Sequence, residues 1–224
     1  MKKQALFISA LVLLLLILDQ WIKLSIKNNF FPGEYKPILG SWFVLHYTEN
    51  PGMAFGQTFG ATMWAKLALS LFRVVAIGLI IRYLYQQMKQ SASKEFLVVV
   101  SFVLAGATGN LLDSMFYDLF FNVDPCVAFN QMPGSGIKAV CTSGHFSYPI
   151  EVRHQGFLLG SVVDMFQFNV SWPSAVPLVG GQQIFPAIWN LADACISFGL
   201  FWAIIRQKKF FPKKVVAEKQ ETES

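Results

Sequence analysis

Residues 186–205 read PAIWNLADACISFGLFWAII, an apolar run about as long as a helix that crosses a bilayer. Four of its residues share one face at helical spacing: Pro186, Asn190, Asp193 and Ser197. An ionised aspartate at the centre of a bilayer costs about 3 kcal/mol, so such a residue normally faces a protein interior or water. The stretch therefore predicts a membrane helix in which the carboxylate of Asp193 has a functional role.

The composition is that of a polytopic membrane protein. The chain has 224 residues, of which 54% are hydrophobic and 14% charged, and its mean hydropathy is +0.46. Its net charge of +5 comes from basic residues that flank the apolar runs, as the positive-inside rule describes. A basic face for nucleic acid would need a soluble domain, and the sequence shows none. We expect no nucleic-acid partner.

Four apolar segments predict an all-α membrane protein with four transmembrane helices, at about 5–26, 63–84, 96–113 and 186–205. The first segment resembles a secretory signal peptide. However, no small-x-small cleavage site follows it, so we expect it to remain as the first helix.

The basic flanks also predict the orientation of the chain in the membrane. Both termini are then cytoplasmic, including the basic tail at 206–224, and the loops at about 27–62 and 114–185 lie outside. The outer loops contain β-branched and aromatic runs at 42–47 and 160–168, which predict strands in a small extracytoplasmic platform. A turn is expected at Asn50-Pro51-Gly52.

Two basic residues, Lys66 and Arg73, lie seven positions apart on one face of the second apolar segment. The favoured interpretation is that Lys66 snorkels to one membrane surface and that Arg73 pairs with an acidic group at a helix interface. A role in substrate binding is the alternative.

Polar residues from distant parts of the chain arrive at one depth in this topology, the outer leaflet boundary: Asp19, Asn50, Asp113, Asp164 and Asp193. On the third segment, small and polar residues follow the spacing i, i+3, i+4, i+7 and allow another helix to approach closely: Gly106, Gly109, Asn110 and Asp113. The sequence thus predicts a site at the outer boundary of the membrane.

Carboxylates and amides limit the chemistry of such a site. The chain contains no GxSxG or HExxH motif and no Cys/His spacing suited to zinc, so we expect neither a metal nor a cofactor. Two aspartates held close together do not both ionise easily. One then keeps a proton while the other acts as a base on water, which is the arrangement of aspartic proteolysis.

The alternative function is a small proton-coupled transporter with Asp113 and Asp193 as relay groups. Transporter sites usually lie near the midplane and occur with broken helices or internal repeats. This chain has no internal repeat, and its carboxylates cluster at one interface, so proteolysis is favoured.

Five blocks of sequence resemble those of the bacterial lipoprotein signal peptidases, signal peptidase II. They occur in the family's order: DQWIK at 19–23, NPGMAFG at 50–56, GNLLD at 109–113, VVDMF at 162–166 and WNLAD at 189–193. The resemblance covers the chain from about 5 to 205, except for 115–160. Single blocks are weak signals, but five in order across four predicted spans are specific.

The resemblance implies a membrane aspartyl endopeptidase that needs no cofactor. Such an enzyme removes the signal peptide from diacylglyceryl-modified prolipoproteins, cutting before the lipidated cysteine. It implies a protein of the bacterial inner membrane, in contact with membrane lipid, with its active site at the outer leaflet. We expect it to be monomeric.

The catalytic pair implied by the resemblance is Asp164 and Asp193, with Asp113 as the alternative for either member. The residues that match supporting positions are Asp19, Asn50, Gly52, Asn110, Asp113 and Asn190.

The chain departs from the family pattern in two places. The family usually has arginine where this chain has Ser114, and Arg153 is the candidate to replace it. About 50 residues separate Asp113 from Asp164, so 115–160 is interpreted as an irregular outer insertion.

The insertion contains Cys126 and Cys141. In an oxidising compartment we expect them to form a disulfide, which would stabilise the fold by about 3 kcal/mol in the entropic model. Two free thiols are the alternative.

Overall fold

The computed structural model describes residues 2–51 and 62–211, and α3 is the central helix of this part. The helices are α1 (Lys2–Asn29), α2 (Met63–Lys89), α3 (Lys94–Phe120), α4 (Leu191–Ile205) and the short α5 (Gln207–Phe210). Helix α3 contacts α1, α2 and α4. In the most apolar 18-residue stretch of each helix, 56% of the α3 residues are buried, whereas only 11% are buried in α1 and in α2. The two outer helices therefore leave long apolar faces uncovered, as a membrane protein requires.

Within the described residues, α1, α2 and α3 are long and apolar enough to cross a membrane by length and composition. All three run past the predicted spans of 5–26, 63–84 and 96–113. The predicted spans cover only about the length that crosses a bilayer, and polar side chains beyond them do not interrupt the backbone hydrogen bonds of a helix. With 15 residues, α4 is shorter than the other three.

The prediction that one helix spans 186–205 is wrong at its start. Helix α4 begins at Leu191, and the two residues Ile188–Trp189 form a strand instead. Asn190 has extended backbone angles, φ −125° and ψ 177°, and its side chain caps the helix. A side-chain oxygen at this position satisfies one of the unpaired N–H groups of the first turn, which is why the helix starts after it.

Glycines allow α3 and α4 to pack backbone to backbone. A Cβ atom on Gly106 would lie 2.2 Å from the carbonyl oxygen of Ala192, and one on Gly199 would lie 2.9 Å from that of Val99. Because neither distance is compatible with a side chain, the approach of the two helices depends on glycine at both positions.

The strands in the described residues, numbered in chain order, are β1 (Tyr35–Leu39), β2 (Phe43–Asn50), β3 (Lys138–Ser143), β4 (Phe146–Glu151), β5 (Val162–Phe168) and β6 (Ile188–Trp189). Four of them form an antiparallel sheet in the order β1-β2-β5-β6. The strands predicted near 42–47 and 160–168 are confirmed as β2 and β5.

A hydrophobic core between the four-stranded sheet and the helices holds the sheet against α1 and α3. It contains one buried side chain from α1, one from β2, one from α3 and two from β5: Ile26, Tyr47, Tyr117, Val163 and Met165. Asp164 therefore lies on a strand whose neighbours, Val163 and Met165, are fully buried.

The region 115–160 is more regular than predicted. Helix α3 continues to Phe120, β3 and β4 pair as an antiparallel hairpin, and Cys126 is joined to Cys141 by a disulfide. Cross-strand backbone pairing supplies regularity that the Pro- and Gly-rich composition does not reveal.

Arg153 attaches this region to α3. Its guanidinium donates to both carboxylate oxygens of Asp118, at 2.8 Å each, and to Oδ1 of Asn130 at 3.1 Å. We refer to these three residues as the Arg153 anchor.

Candidate active site

Asp164 and Asp193 line one cavity of about 570 Å³. Asp164 lies on β5, and Asp193 lies in the first turn of α4. The short strand β6 brings them together, because Trp189 pairs with Phe166 on β5 and the chain enters α4 directly afterwards. Other polar side chains also line the cavity: Asn50, Arg73, Asn110 and Ser197. Aromatic and aliphatic residues line it as well: Phe168, Phe185, Ile188 and Trp189.

Asn190 contacts both carboxyl-bearing residues. Its side-chain Nδ2 donates to Oδ1 of Asp164 at 2.7 Å, and its backbone N–H donates to Oδ2 of Asp193 at 3.3 Å. Its own Oδ1 accepts from the backbone N–H of Asp193 at 2.9 Å. One residue thus holds the two carboxyl groups in position relative to each other.

Two further asparagines complete the contacts of the pair. Asn110 Nδ2 donates to Oδ1 of Asp193 at 2.8 Å, and its Oδ1 accepts from Asn190 Nδ2 at 3.2 Å. Asn50, the last residue of β2, forms a side-chain hydrogen bond with Asp164. Each carboxyl group is therefore held by two asparagines.

A fully buried lysine connects the supporting residues. Lys23 Nζ lies 3.0 Å from Oδ2 of Asp19 and 2.8 Å from Oδ2 of Asp113, and it donates to Oδ1 of Asn110 at 3.0 Å. We refer to these four residues as the Lys23 network. No role was predicted for Lys23 from the sequence. The signal was present, because Asp19 and Lys23 are spaced i, i+4 in an apolar helix.

Each acidic residue of the Lys23 network holds the backbone that carries one member of the pair. Asp19 Oδ1 accepts from the backbone N–H of Ala192 at 3.0 Å, next to Asp193 in α4. Asp113 Oδ2 accepts from the backbone N–H of Val163 at 3.3 Å, next to Asp164 in β5. Asp113, the alternative member of the pair, is fully buried against these partners and is not among the described residues that line the cavity.

Burial is the main influence on the charge of Asp164, whose exposed fraction is 3%. Burial, and after it the nearby Asp193, raise the pKa of this carboxyl group to about 8. Hydrogen bonds from Asn190 and Asn50 act in the opposite direction. A carboxyl group in this environment keeps its proton at neutral pH.

Most of the predicted site residues form one connected set. The structure places together Asp164, Asp193, Asp19, Asn50, Asn110, Asp113 and Asn190, by the contacts given above. Gly52 lies outside the described residues. The shared face of residue 193 and Ser197 is confirmed, because both line the cavity.

Three predictions for basic residues are wrong: the replacement role of Arg153, an acidic partner for Arg73 and the snorkelling of Lys66. Arg153 does not line the cavity, because it belongs to the Arg153 anchor. Arg73 lines the cavity instead, and its Nη1 donates to Oγ of Ser114 at 3.1 Å. Within residues 2–51 and 62–211, no carboxylate forms an ion pair with Arg73. The Nζ atom of Lys66 is buried rather than extended to a membrane surface.

Comparison with known proteins gives consistent matches. Residues 11–209 match the sequence model of a family described as signal peptidase (SPase) II. The lipoprotein signal peptidase of Porphyromonas gingivalis is 35% identical over 204 residues, which cover 88% of this chain and 81% of that protein. That of Amoebophilus asiaticus is 31% identical over 207 residues, or 88% and 76% of the two chains.

The fold also has a counterpart among solved structures. A bacterial membrane enzyme solved by the in meso method at 2.3 Å matches with a TM-score of 0.55 at 19% identity, over 97% of this chain and 94% of that one. At this identity the likeness concerns the fold alone.

Proposed function

Because the chain belongs to the signal peptidase II family, we propose that it cuts prolipoproteins with an aspartate pair, Asp164 and Asp193. Membership makes the protein a protease that removes signal peptides from prolipoproteins. The observation that supports the aspartic mechanism is the position of Asn190, which bonds to both carboxyl groups at the wall of one cavity.

The two carboxyl groups take opposite roles in the proposed reaction. Buried Asp164 holds a proton at rest. Asp193 accepts hydrogen bonds from Asn110 and from the Asn190 backbone at the N-terminus of α4, where negative charge is favoured, so it acts as the base. Water transfers a proton to Asp193 as its oxygen attacks the scissile carbonyl carbon, and Asp164 protonates the carbonyl oxygen.

The resulting tetrahedral intermediate then collapses. Its C–N bond breaks, the proton on Asp193 passes to the leaving amine, and the hydroxyl proton of the intermediate returns to Asp164. One water is consumed, the peptide is cut, and the pair regains its starting protonation. No cofactor takes part in this sequence.

We propose that the apolar part of the cavity receives the end of the signal peptide. Phe168, Phe185, Ile188 and Trp189 line the wall beside the pair. The resemblance places the cut before a diacylglyceryl-modified cysteine, whose lipid would remain in the outer leaflet. The supporting roles follow the contacts of Asp19, Asn50, Asn110, Asp113 and Asn190, and Gly52 keeps the supporting role that the resemblance implies.

We further propose that α4 is the fourth span, with both termini cytoplasmic and with the sheet and 115–160 outside. A helix of 15 residues is about 22 Å long, less than the hydrocarbon thickness of about 30 Å. The start of α4, and with it Asp193, would then lie slightly inside the outer boundary. A cytoplasmic C-terminus is favoured by the basic residues that follow α4, which are Arg206, Lys208 and Lys209.

Purified protein in detergent tests the reaction. With a diacylglyceryl-prolipoprotein, mass spectrometry should find a product that begins at the lipidated cysteine. The same substrate without the lipid is the control and should be cut far more slowly. A transporter with Asp113 and Asp193 as relay groups would give no product and would move protons across liposomes. The transporter hypothesis is disfavoured, because Asp113, one of its two relay groups, is bound within the Lys23 network.

A further inference from the structure

We propose that Arg73 of α2 supplies the guanidinium that binds a backbone carbonyl of the substrate beside the scissile bond. This inference rests on the proposed function, since it names how the same cavity holds its peptide. It assigns to α2 a group for which the family pattern has arginine at position 114 of α3.

Arg73 lies close to the pair without being neutralised by it. Its guanidinium lines the same cavity and interacts electrostatically with Asp193, Asp113 and Asp164. It forms no ion pair with any carboxylate among the described residues. The cation and the two carboxyl groups therefore line one cavity without an ion pair between them among the described residues.

Ser114 holds Arg73 in place. The serine hydroxyl is fully buried and lies within hydrogen-bonding distance of the Asn110 carbonyl oxygen, at 3.3 Å. It donates its one proton there, so its lone pairs are available to accept from Nη1 of Arg73 at 3.1 Å. The hydroxyl thus orients the guanidinium through a single hydrogen bond.

Most donors of the guanidinium remain for a ligand. Arginine carries five N–H donors, and Ser114 accepts from one nitrogen. In the described part of the chain, no other hydrogen bond of Arg73 is present. A planar fork of donors suits a peptide carbonyl oxygen, and its charge strengthens the hydrogen bond.

The pairing of Arg73 with Ser114 also explains the departure at position 114. Arginine at this position would project from α3 into the volume that the Arg73 side chain occupies, and two guanidinium groups would repel each other. Serine is small enough to leave that volume to the α2 side chain and polar enough to fix it. The two positions are therefore expected to substitute for each other.

Kinetics of Arg73→Gln test the inference directly. Since the arginine contacts substrate before and during reaction, KM should rise about tenfold or more while kcat changes less than about threefold. Arg73→Lys keeps the charge without the fork and should give an intermediate KM. Arg82→Gln, an exposed arginine of the same helix, removes the same charge and should keep the wild-type KM. A wild-type KM for Arg73→Gln would overturn the inference.

Moving the arginine separates substrate binding from a structural role. The double substitution Arg73→Ala with Ser114→Arg places the guanidinium on α3 and should recover most of the kcat/KM lost in Arg73→Ala. Ser114→Arg alone should lower kcat/KM, because it brings two guanidinium groups together. If the double variant unfolds at the wild-type temperature yet cleaves no better than Arg73→Ala, the inference is wrong.

A binding measurement keeps this inference distinct from the proposed function. In an Asp164→Asn background, the Kd of a fluorescent diacylglyceryl-prolipopeptide should rise about tenfold when Arg73→Gln is added. If the wild type binds this probe without cleaving it, the proposed reaction fails while the role of Arg73 is still decided. Equal Kd values with and without the arginine would reject the role, whatever the enzyme cleaves.

Discussion

Two buried cations, Lys23 and Arg153, have similar surroundings and different consequences. Lys23 pairs with Asp19 and Asp113 and, through them, holds the backbones next to the catalytic pair. Arg153 pairs with Asp118 and joins the 115–160 region to α3. All three ion pairs are almost fully buried, so removal of either cation leaves a carboxylate buried without its partner and destabilises the fold. Burial therefore does not distinguish the two cations; their functional consequence depends on which backbone the paired carboxylates hold.

The largest effect is expected at Lys23. Lys23→Met leaves Asp19 and Asp113 buried without their cation, which typically costs about 3–5 kcal/mol. It also releases the N-terminus of α4 and strand β5, so cleavage should fall at least about a hundredfold. Thermal unfolding in detergent and prolipoprotein cleavage measure the two effects. If a folded Lys23→Met protein cleaves at nearly the wild-type rate, Lys23 has only a structural role, like Arg153.

Asn190→Ala should lower kcat about a hundredfold, because it removes the side-chain hydrogen bond to the Asp164 carboxyl group and the side-chain oxygen that holds the backbone N–H of Asp193. The loss of the helix cap costs about 1 kcal/mol, and the loss of the buried side-chain hydrogen bonds to Asp164 and Asn110 adds about 1 kcal/mol each, so the variant should be less stable and its folding is checked by thermal unfolding. Ser93→Ala is the matched control, since Ser93 caps α3 by accepting from the Phe96 N–H at 3.2 Å and is far from the pair in sequence. It should lose about 1 kcal/mol of stability, the cost of the cap alone, with unchanged kcat. An equal loss of kcat in both variants would count against the role of Asn190.

The charge of Asp164 predicts how pH affects stability and cleavage. The pKa of Asp164 is about 8 in the folded protein and about 4 in the unfolded chain, so between these values the folded state binds more protons. The free energy of unfolding should therefore decrease as pH rises from about 4 to 8, and cleavage should decline as pH rises through 8.

Asp164→Asn isolates this contribution, because the amide does not titrate. The variant should lose the part of the pH slope that comes from Asp164. Denaturant unfolding at several pH values measures both slopes, and identical slopes for the two proteins would show that Asp164 is ionised in the folded state at neutral pH.

The smallest effect on catalysis is expected at Arg153. Arg153→Met leaves Asp118 buried and unpaired, so it should destabilise the attachment of the 115–160 region by about 3 kcal/mol or more. Its kcat/KM should stay within about threefold of the wild type at a temperature where the protein is folded. Limited proteolysis of the 115–160 region reports the loosening. A large loss of kcat with intact structure would link this region to the reaction.

Local sequence patterns predicted α1, α2, α3, β2 and β5, because the length of an apolar run and the alternation of side chains are properties of neighbouring residues. The start of α4 was predicted five residues too early, although Asn190 followed by Asp193 three residues later is a local capping signal. The strand that precedes the helix was not predictable locally, because it depends on Trp189 pairing with Phe166, which lies 23 residues earlier in the chain. A backbone pairing of this kind leaves no periodic trace.

The site shows the same division. Ordered blocks of sequence located Asp164, Asp193 and their asparagine partners. The contact of Arg73 with Ser114, in place of the expected acidic partner, was not predictable, because it is set by how α2 is rotated against α3 and nothing in either helix alone specifies that rotation. The i, i+4 spacing of Asp19 and Lys23 is visible in the sequence and indicates an ion pair within α1. It does not indicate that Lys23 also pairs with Asp113 of α3, so the role of Lys23 was not predicted.

Cleavage by Asp164→Asn and Asp193→Asn, beside the wild type, tests the aspartate pair most directly. Each substitution keeps the shape of the side chain and removes its acid–base capacity, so both variants should stay folded, bind the diacylglyceryl-prolipoprotein and release no product in a single-turnover assay. If either variant retains more than about a hundredth of the wild-type rate, that aspartate is not a member of the pair. If Asp113→Asn is inactive in its place and still folded, Asp113 is the missing partner.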